Sequence, residues 1–96
     1  MNFTGEIIQS PLFTKQKKKL HKNRIKGLDK AVKFVGENPE AGEMKTGDLQ
    51  GVRVYQFKLN NRPVLLAYEL SGSALYLYTF GFHENFYRDL KKYLQH

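Results

Sequence analysis

The sequence contains no cysteine and no tryptophan, and only three of its 96 residues are proline. Without cysteine the chain forms no disulfide, carries no thiolate nucleophile and offers no cysteine ligands for zinc, so a reducing compartment is compatible with its composition. A long apolar run is also missing, since no stretch approaches the roughly 20 residues that cross a bilayer. The first residues, MNFTGEIIQSPLF, do not resemble a signal peptide. We therefore expect a cytoplasmic protein without a membrane partner.

Motifs for cofactors and metals are absent as well. Neither a GxxxxGKS or GxxxxGKT loop nor a GxGxxG turn occurs, so a nucleotide cofactor has no support. The three histidines lack metal-ligand spacing, and no pair of carboxylates falls on the predicted core strands. No serine nucleophile stands in a recognisable hydrolase motif. We expect neither a cofactor nor a metal.

Positive charge is the strongest feature that is present. Sixteen lysines and arginines against nine acidic residues give a net charge of +7 and a pI near 9.7. Nine of the sixteen lie between Lys15 and Lys33, where Asp29 is the only acid. A solvated helix face explains any single lysine. The whole cluster would attract a nucleic acid, an acidic protein or an anionic membrane, and charge alone does not distinguish these partners.

Helical periodicity dominates the first half of the chain. In SPLFTKQKKKLHKNRI, Ser10 is a predicted cap and Pro11 occupies the first helical position. A second helix follows in GLDKAVKFVGENPEAG, joined to the first near Asn23 to Gly27. The two helices form a hairpin that must bury its apolar stripe on another layer.

The second half of the chain supplies that layer. VRVYQFKL, PVLLAYEL and ALYLYTFGF predict three strands, which lie too close together in sequence for helical crossovers and are therefore antiparallel. NNR predicts a tight turn, and FTGEIIQ predicts a short additional strand. Asn85 is expected to cap a last helix that starts at Phe86. The fold class is α+β: an N-terminal helical hairpin on a three- to four-stranded antiparallel sheet, with a C-terminal helix, as one domain over residues 1–96.

The residues left for chemistry are cationic or exchange protons. They are Lys45, Arg53, Lys58, Arg62, His83, Tyr87 and Arg88. This set suits cleavage of RNA without a metal, because the 2′-hydroxyl already lies beside the phosphate that it attacks, and the protein need only move protons and stabilise negative charge. Each residue also has a structural interpretation: His83 as a partner for a backbone group, Arg53 and Lys58 as sheet-surface charges, and Tyr87 as packing.

Several stretches carry a resemblance to a known family. The two-helix start, GDLQGVRVYQFK, PVLLAYEL and the ending GFHENFYRDLKKYL are together similar to the RelE/ParE superfamily of type II toxin–antitoxin toxins, in its ParE-like branch. The resemblance covers the chain from Ser10 to Leu94. It implies an antiparallel sheet with the helical hairpin on one face and the last helix beside it. Members are ribosome-dependent mRNA interferases resembling RelE or gyrase poisons resembling ParE, and a cognate antitoxin neutralises both kinds.

The resemblance also implies roles for individual residues. GFHENF is similar to the Gly-x-His-x-x-Phe ending of YafQ-like RNases, which makes His83 a catalytic acid or base. Arg53 and Lys58 lie on the strand that supplies basic residues to the cleaved phosphate in RelE-like toxins, and Tyr87 corresponds to a tyrosine that orients the nucleophile. A rigid sheet is expected to aim His83 at one groove shared with Arg53 and Lys58. The residues expected to bind RNA are Lys45, Arg62, Arg88, Lys15, Lys17, Lys18, Lys19 and Lys22.

The sequence thus predicts a toxin that cuts mRNA in the ribosomal A site by attack of the 2′-hydroxyl on the adjacent phosphate. Its partner would be an antitoxin with an acidic, partly disordered segment that folds in an apolar groove beside the sheet. The alternative is a ParE-like inhibitor of DNA gyrase without RNase activity. A plain RNA-binding domain would present exposed aromatic rings, whereas the aromatic residues here fall mostly at strand positions expected to be core.

Overall fold

The computed structural model describes residues 5–94, with only the backbone described for Asp48, His83, Glu84 and Tyr93. The helices and strands of this part are β1 (Glu6–Gln9), α1 (Pro11–Lys18), α2 (Lys22–Glu37), β2 (Glu43–Met44), β3 (Arg53–Leu59), β4 (Arg62–Ser71), β5 (Ala74–Gly81) and α3 (His83–Leu94). Short 3-10 turns at Pro39–Ala41 and Gly47–Leu49 lie on either side of β2. Within residues 5–94, no helix has the length and apolar character needed to span a membrane.

The strands form one mixed sheet in the order β1-β5-β4-β3-β2. β1 runs parallel to β5, and the other neighbouring strands are antiparallel. The α+β class and the short strand predicted in FTGEIIQ are confirmed, the latter as β1. The predicted three- to four-stranded antiparallel sheet with an N-terminal hairpin is wrong, because the described sheet has five strands, β1 precedes the hairpin, and one strand pair is parallel. The four-residue β1 is weak as a sequence pattern, and its place is set by long-range hydrogen bonds such as Ser10 N to Leu77 O at 2.9 Å. The helical hairpin and the strands β2, β3 and β4 together form the long connection between β1 and β5 that parallel pairing requires.

The three strands predicted in the second half are confirmed as β3, β4 and β5. The tight turn between β3 and β4 is confirmed as well. Asn60 and Asn61 both have positive φ angles, 49° and 66°, which asparagine tolerates better than most residues and which suit a two-residue hairpin turn. The turn sets the register of the pair, with Leu59 opposite Arg62.

The start of α1 follows the predicted signals. Ser10 Oγ accepts a hydrogen bond from Phe13 N at 3.0 Å and donates one to Tyr78 O at 2.6 Å, and Pro11 is the first helical residue. The serine therefore caps α1 and also ties it to β5. Phe13 is buried edge-on against Phe80, with ring centroids 5.1 Å apart.

The connection between α1 and α2 differs from the prediction. It lies at residues 19–21 and not between Asn23 and Gly27. Gly27 is inside α2, and a Cβ at this position would come within 2.5 Å of Leu59 Cδ2. The glycine therefore allows α2 to approach β3 closely, a role that the sequence pattern does not distinguish from a turn.

Two apolar clusters hold the helices on opposite faces of the sheet. The cluster under α1 and α2, on what we call the hairpin face, contains Phe13, Leu28, Val32, Val35, Leu59, Val64, Leu66, Tyr68, Leu75, Leu77 and Phe80. The cluster under α3, on what we call the α3 face, contains Leu49, Val52, Val54, Leu65, Ala67, Phe86 and Leu90. β4 contributes to both because alternate side chains of a strand point to opposite faces. α3 thus lies across the sheet from the hairpin.

α3 begins earlier than predicted. The backbone N–H groups of Asn85 and Phe86 donate to Phe82 O at 3.2 and 3.1 Å, and the helix starts at His83. Asn85 is therefore inside the first turn, and its expected capping role is wrong. Phe86 and Leu90 are buried and hold α3 on the sheet.

Candidate functional site

Alternation along β3 divides the predicted site residues between the two faces. Val54 belongs to the α3-face cluster and Tyr55 packs against the hairpin-face cluster. Lys58, four residues from Val54, therefore lies on the α3 face, whereas Arg53, two residues from Tyr55, lies on the hairpin face. The expectation that Arg53 and Lys58 share a groove is wrong, because an odd separation along a strand places two side chains on opposite faces.

Arg53 is held in a hydrogen-bonded corner at the start of β3. Its Nη1 donates to Gly42 O at 2.8 Å, while the Tyr68 hydroxyl accepts from Gly42 N at 2.9 Å and donates to Pro39 O. Burial raises the pKa of Tyr68, against the opposing effects of the Gly42 N–H and the Arg53 charge. Arg53 and Tyr68 together tie the segment before β2 to the sheet.

The structure brings Lys45 and Tyr87 together on the α3 face. The Lys45 ammonium lies 5.4 Å from the centre of the Tyr87 ring and 3.6 Å from Glu43 Oε1. A hydrogen-bonding interaction with the Tyr87 side chain is the main cause that raises the pKa of Lys45, while burial opposes the rise and Glu43 adds to it. Lys45 therefore stays charged at neutral pH, where it can neutralise an anion but cannot accept a proton.

Lys58 and the first residue of α3 lie toward the same end of the sheet. Lys58 is exposed and lies next to the turn that ends β3. α3 follows β5 where Gly81 pairs with Leu65 of β4, and Leu65 pairs in turn with Gln56 of β3. The backbone of His83 therefore begins near this end. The His83 side chain lies outside the described residues, so its direction stays a prediction.

Arg62 contacts the chain where β5 passes into α3. Its guanidinium carbon lies 3.8 Å from the centre of the Phe82 ring, within the range of a cation–π interaction. The carbonyl of Phe82 accepts the first hydrogen bonds of α3. This contact stabilises the junction from which His83 starts, and it supports a positioning role for Arg62.

The lysines predicted to bind RNA near the N-terminus lie on the hairpin side of the sheet. The exposed ones are Lys15, Lys18, Lys19 and Lys22. Lys17 is partly buried, and its Nζ lies 3.0 Å from Asp29 Oδ1. Arg88 is exposed on α3, with its Nε 3.6 Å from Asp89 Oδ1. The lysines therefore form a surface separate from the α3 face.

The arrangement on the α3 face suits binding of a phosphate. It supplies Lys45 and the phenol of Tyr87 beside Val52. Lys58 lies about 20 Å further along β3, toward the end where His83 begins α3. Among the described residues, no group of three or more His, Asp or Glu residues stands close enough to bind a metal ion. The chemistry that the described side chains offer at this face is stabilisation of negative charge and proton transfer.

Sequence reasoning missed a row of aromatic rings on the hairpin side, which we call the aromatic row. Phe34 of α2 stacks on Tyr55 with centroids 5.4 Å apart and planes at 28°, and Tyr55 stacks on Phe57 at 6.2 Å and 9°. Phe34 is 44% exposed. β2 pairs only with Arg53 and Val54, so no described strand pairs with the outer edge of β3 beyond them. The alternation of Tyr55 and Phe57 was a signal for a common face, but the stacking of Phe34 on Tyr55 depends on how α2 packs on β3.

A depression of about 400 Å³ opens on the hairpin side near β1. Apolar side chains of Ile7, Val32 and Leu77 line it, and the Lys17–Asp29 ion pair lies at its wall. Ile7 is 46% exposed although it is a large aliphatic residue. The depression is therefore the kind of surface that an amphipathic segment can cover.

A family comparison agrees with the resemblance in the sequence. The profile of the family described as "ParE-like toxin of type II bacterial toxin-antitoxin system" matches residues 7–91. No curated protein matches the chain significantly.

Solved structures of an E. coli toxin have a similar fold. The intact E. coli RelBE toxin–antitoxin complex aligns with a TM-score of 0.64 and 18% identity, covering 82% of this chain and 96% of that chain. A mutant of the E. coli toxin RelE in the free state aligns with a TM-score of 0.67 and 18% identity, covering 94% and 93%. The isolated E. coli RelE toxin aligns with a TM-score of 0.62 and 20% identity, covering 93% and 98%. At these identities the likeness shows a common fold.

Proposed function

Because the chain belongs to the ParE-like toxins of type II bacterial toxin–antitoxin systems, we propose that it is a metal-independent endoribonuclease that cuts mRNA on the ribosome and inhibits translation. The observation that supports this proposal is the pairing of Lys45 with Tyr87 on the α3 face, the face that also presents Lys58. The fold it shares with E. coli RelE is consistent with the proposal.

In the proposed reaction, the RNA 2′-oxygen attacks the adjacent phosphorus and the bond from phosphorus to the 5′-oxygen breaks. The products are a 2′,3′-cyclic phosphate and a 5′-hydroxyl. His83 removes the proton from the 2′-hydroxyl or returns one to the leaving 5′-oxygen. Lys58, at the end of the face where His83 begins, stabilises the negative charge that develops on the phosphoryl oxygens, and Lys45, about 20 Å away along β3, binds a phosphate further along the RNA. Tyr87 keeps Lys45 in position and orients the nucleophile.

This mechanism assigns no catalytic step to Arg53. Its guanidinium donates to Gly42 O on the hairpin face, so it cannot reach a phosphate bound beside Lys58 without breaking that contact. We propose instead that Arg53 stabilises the fold, and that Lys45 supplies the second positive charge.

Induction of the protein in growing bacteria tests the proposed function. The 5′ ends of cellular mRNA and the supercoiling of a reporter plasmid are measured in the same cultures, for wild type and for His83→Ala. We expect new 5′ ends within translated frames, formed by wild type only, and unchanged supercoiling. Growth arrest with intact mRNA and altered supercoiling would contradict the proposal and support inhibition of DNA gyrase.

We also propose that a cognate antitoxin binds the depression beside β1. The apolar side chains of Ile7, Val32 and Leu77 would contact the apolar face of its segment, and the basic surface of α1 and α2 would attract its acidic residues. Co-expression of the neighbouring small reading frame should restore growth, and Ile7→Glu should weaken the complex without changing mRNA cleavage. Full protection of cells producing Ile7→Glu, with unchanged affinity, would exclude this location.

A further inference from the structure

Three lysines and a phenylalanine follow one another along the exposed side of α2. Lys22, Lys26, Lys30 and Phe34 are spaced four residues apart, and all four are exposed. Residues at this spacing form a continuous ridge on a helix. With a rise of 1.5 Å per residue, the ridge is about 18 Å long. We call these four residues the α2 ridge.

The ridge ends on the aromatic row. Phe34 belongs to both, since its ring stacks on Tyr55, whose ring stacks in turn on Phe57. Tyr55 and Phe57 pack against the hairpin-face cluster, whereas Phe34 is 44% exposed at the outer end of the stack. Phe34 is therefore the more exposed end of the stack, where a flat group can extend it.

No described ion pair involves the lysines of the ridge. Among the described residues, the ion pairs join Lys17 to Asp29, Lys45 to Glu43 and Arg88 to Asp89. The charges of Lys22, Lys26 and Lys30 are therefore available to a ligand. Glu37, the last residue of α2, lies one turn beyond Phe34. The ridge residues before it carry only positive charge.

A ligand that satisfies these features has regularly spaced negative charges and a flat unpaired ring. We propose that the α2 ridge is a second binding site for single-stranded RNA, in which Lys22, Lys26 and Lys30 contact phosphates and one unpaired base stacks on Phe34. Aromatic rings beside basic residues are the usual platform for single strands. An acidic peptide fits less well, because the ridge is convex and offers it only one apolar side chain.

The proposed site lies on the opposite side of β3 from Lys58. No described strand covers the outer edge of β3 from Tyr55 to Leu59, so a single strand can pass over this edge from one face to the other. The inference rests on the proposed function for the identity of the ligand as RNA. The α2 ridge would bind the mRNA outside the α3 face and would take no part in the reaction.

Binding of uncleavable RNA tests this site separately from catalysis. The probe is a fluorescent 2′-O-methyl oligoadenylate, which lacks the attacking hydroxyl, and the second probe has the same length and charge but abasic sugars. Affinity is measured by anisotropy at several salt concentrations. Phe34→Ala should weaken binding of the oligoadenylate about tenfold, the effect of losing one stacked base, and should leave the abasic probe unaffected. Phe34→Trp should restore binding.

The lysines should show a different signature. Lys26→Ala and Lys30→Ala should each lower the slope of log affinity against log salt by about 0.7, the value for one phosphate contact on a single strand, with either probe. Lys91→Ala, an exposed lysine at the end of α3, removes the same charge and should leave the slope unchanged. Met44→Ala, at a residue that is 48% exposed, controls for loss of exposed apolar surface.

The results that overturn the site are specific. They are no binding of the oligoadenylate by wild type, equal losses for Phe34→Ala with both probes, or equal slopes for Lys30→Ala and Lys91→Ala. Should Phe34→Ala fail to fold in a thermal melt, Phe34→Leu keeps the volume without the flat ring and decides the question. The probe reports binding without cleavage. If the wild-type protein binds the probe as expected but leaves cellular mRNA intact, the RNase proposal alone is contradicted. Normal binding by Phe34→Ala in an active toxin would contradict the ridge alone.

Discussion

The two faces of the sheet use the same kinds of cationic side chain differently. On the hairpin face, Arg53 donates to a backbone carbonyl and Arg62 lies against the ring of Phe82, so both hold parts of the fold together. On the α3 face, Lys58 is exposed and Lys45 is held beside Tyr87. On β3, the charge of Arg53 is therefore engaged in a contact within the fold, whereas that of Lys58, on the other side of the strand, is exposed.

Arg53 and Lys58 illustrate this difference most directly. They lie on one strand, and the same family resemblance implied the same role for both. The alternation of side chains separates them, because each step along a strand reverses the face. The two faces thus give opposite predictions for two residues of similar charge.

The largest effect is expected for His83, the residue that begins the helix on the α3 face. If its imidazole transfers a proton in the transition state, His83→Ala should cleave a ribosome-bound message roughly 10²–10⁴-fold more slowly in a single turnover, with an unchanged melting temperature. His21→Ala is the matched control, since His21 is exposed and its side chain makes no capping hydrogen bond to α2. A folded His83→Ala protein that cleaves at the wild-type rate would remove this residue from the mechanism.

Replacing Lys58 and Arg53 separates the two faces. Lys58→Gln should lower the single-turnover rate about 10²–10³-fold, by analogy with loss of one group that stabilises transition-state charge, and should not change the melting temperature. Arg53→Gln should lower the free energy of unfolding by roughly 1 kcal/mol or more, because a charged hydrogen bond to Gly42 O is lost. The folded fraction of Arg53→Gln should cleave normally. A rate loss as large as that of Lys58→Gln, without a loss of stability, would return Arg53 to the active site.

Tyr68→Phe tests the hydrogen-bonded corner of the hairpin face. The hydroxyl that serves both Pro39 O and Gly42 N is lost, which should lower the free energy of unfolding by about 1–3 kcal/mol at neutral pH. Tyr76→Phe, at a residue that is 36% exposed, should change stability little. Denaturant titrations measure both variants.

The same tyrosine predicts a pH dependence. Burial raises the pKa of Tyr68 in the folded state above its unfolded value of about 10, so its contribution to stability is fully present below that pH and is lost as the pH rises through the folded pKa. The difference in unfolding free energy between wild type and Tyr68→Phe should therefore shrink in alkaline solution. A constant difference from neutral pH to well above pH 10 would contradict this assignment.

The smallest effect is expected for Gly27→Ala, which tests the close approach of α2 to β3. Alanine improves helix propensity by about 1 kcal/mol, but its Cβ would come within 2.5 Å of the Leu59 side chain, and overpacking costs about 1–3 kcal/mol. We expect a net loss of stability of about 1 kcal/mol in denaturant titrations. Adding Leu59→Val should recover part of it, since the shorter side chain removes the clash. Additive losses in the double variant would show that the two residues do not interact.

Local signals were sufficient for some of the elements and failed for others. The capping of α1 by Ser10, the turn at Asn60 and Asn61 and the three long strands were all predictable, because propensity, capping chemistry and positive φ act within a few residues. The start of α3 was not, because Asn85 satisfies the composition of a cap while Phe82 O already accepts the first helical hydrogen bonds. Asn85 therefore lies inside the first turn of α3 and does not cap it, although its side chain suits a cap.

The sequence by itself determined the α+β character, the lack of cysteine chemistry, the basic surface of the helical hairpin and the resemblance to toxins of the RelE/ParE superfamily. Only the tertiary structure decided that β1 pairs parallel to β5, that α3 covers the face opposite the hairpin, and that Lys45 lies beside Tyr87 on the face that also presents Lys58. The reason is that strand partners and faces depend on contacts between residues far apart in the chain. Composition and periodicity indicate which residues are buried, but they do not indicate which other part of the chain those residues pack against.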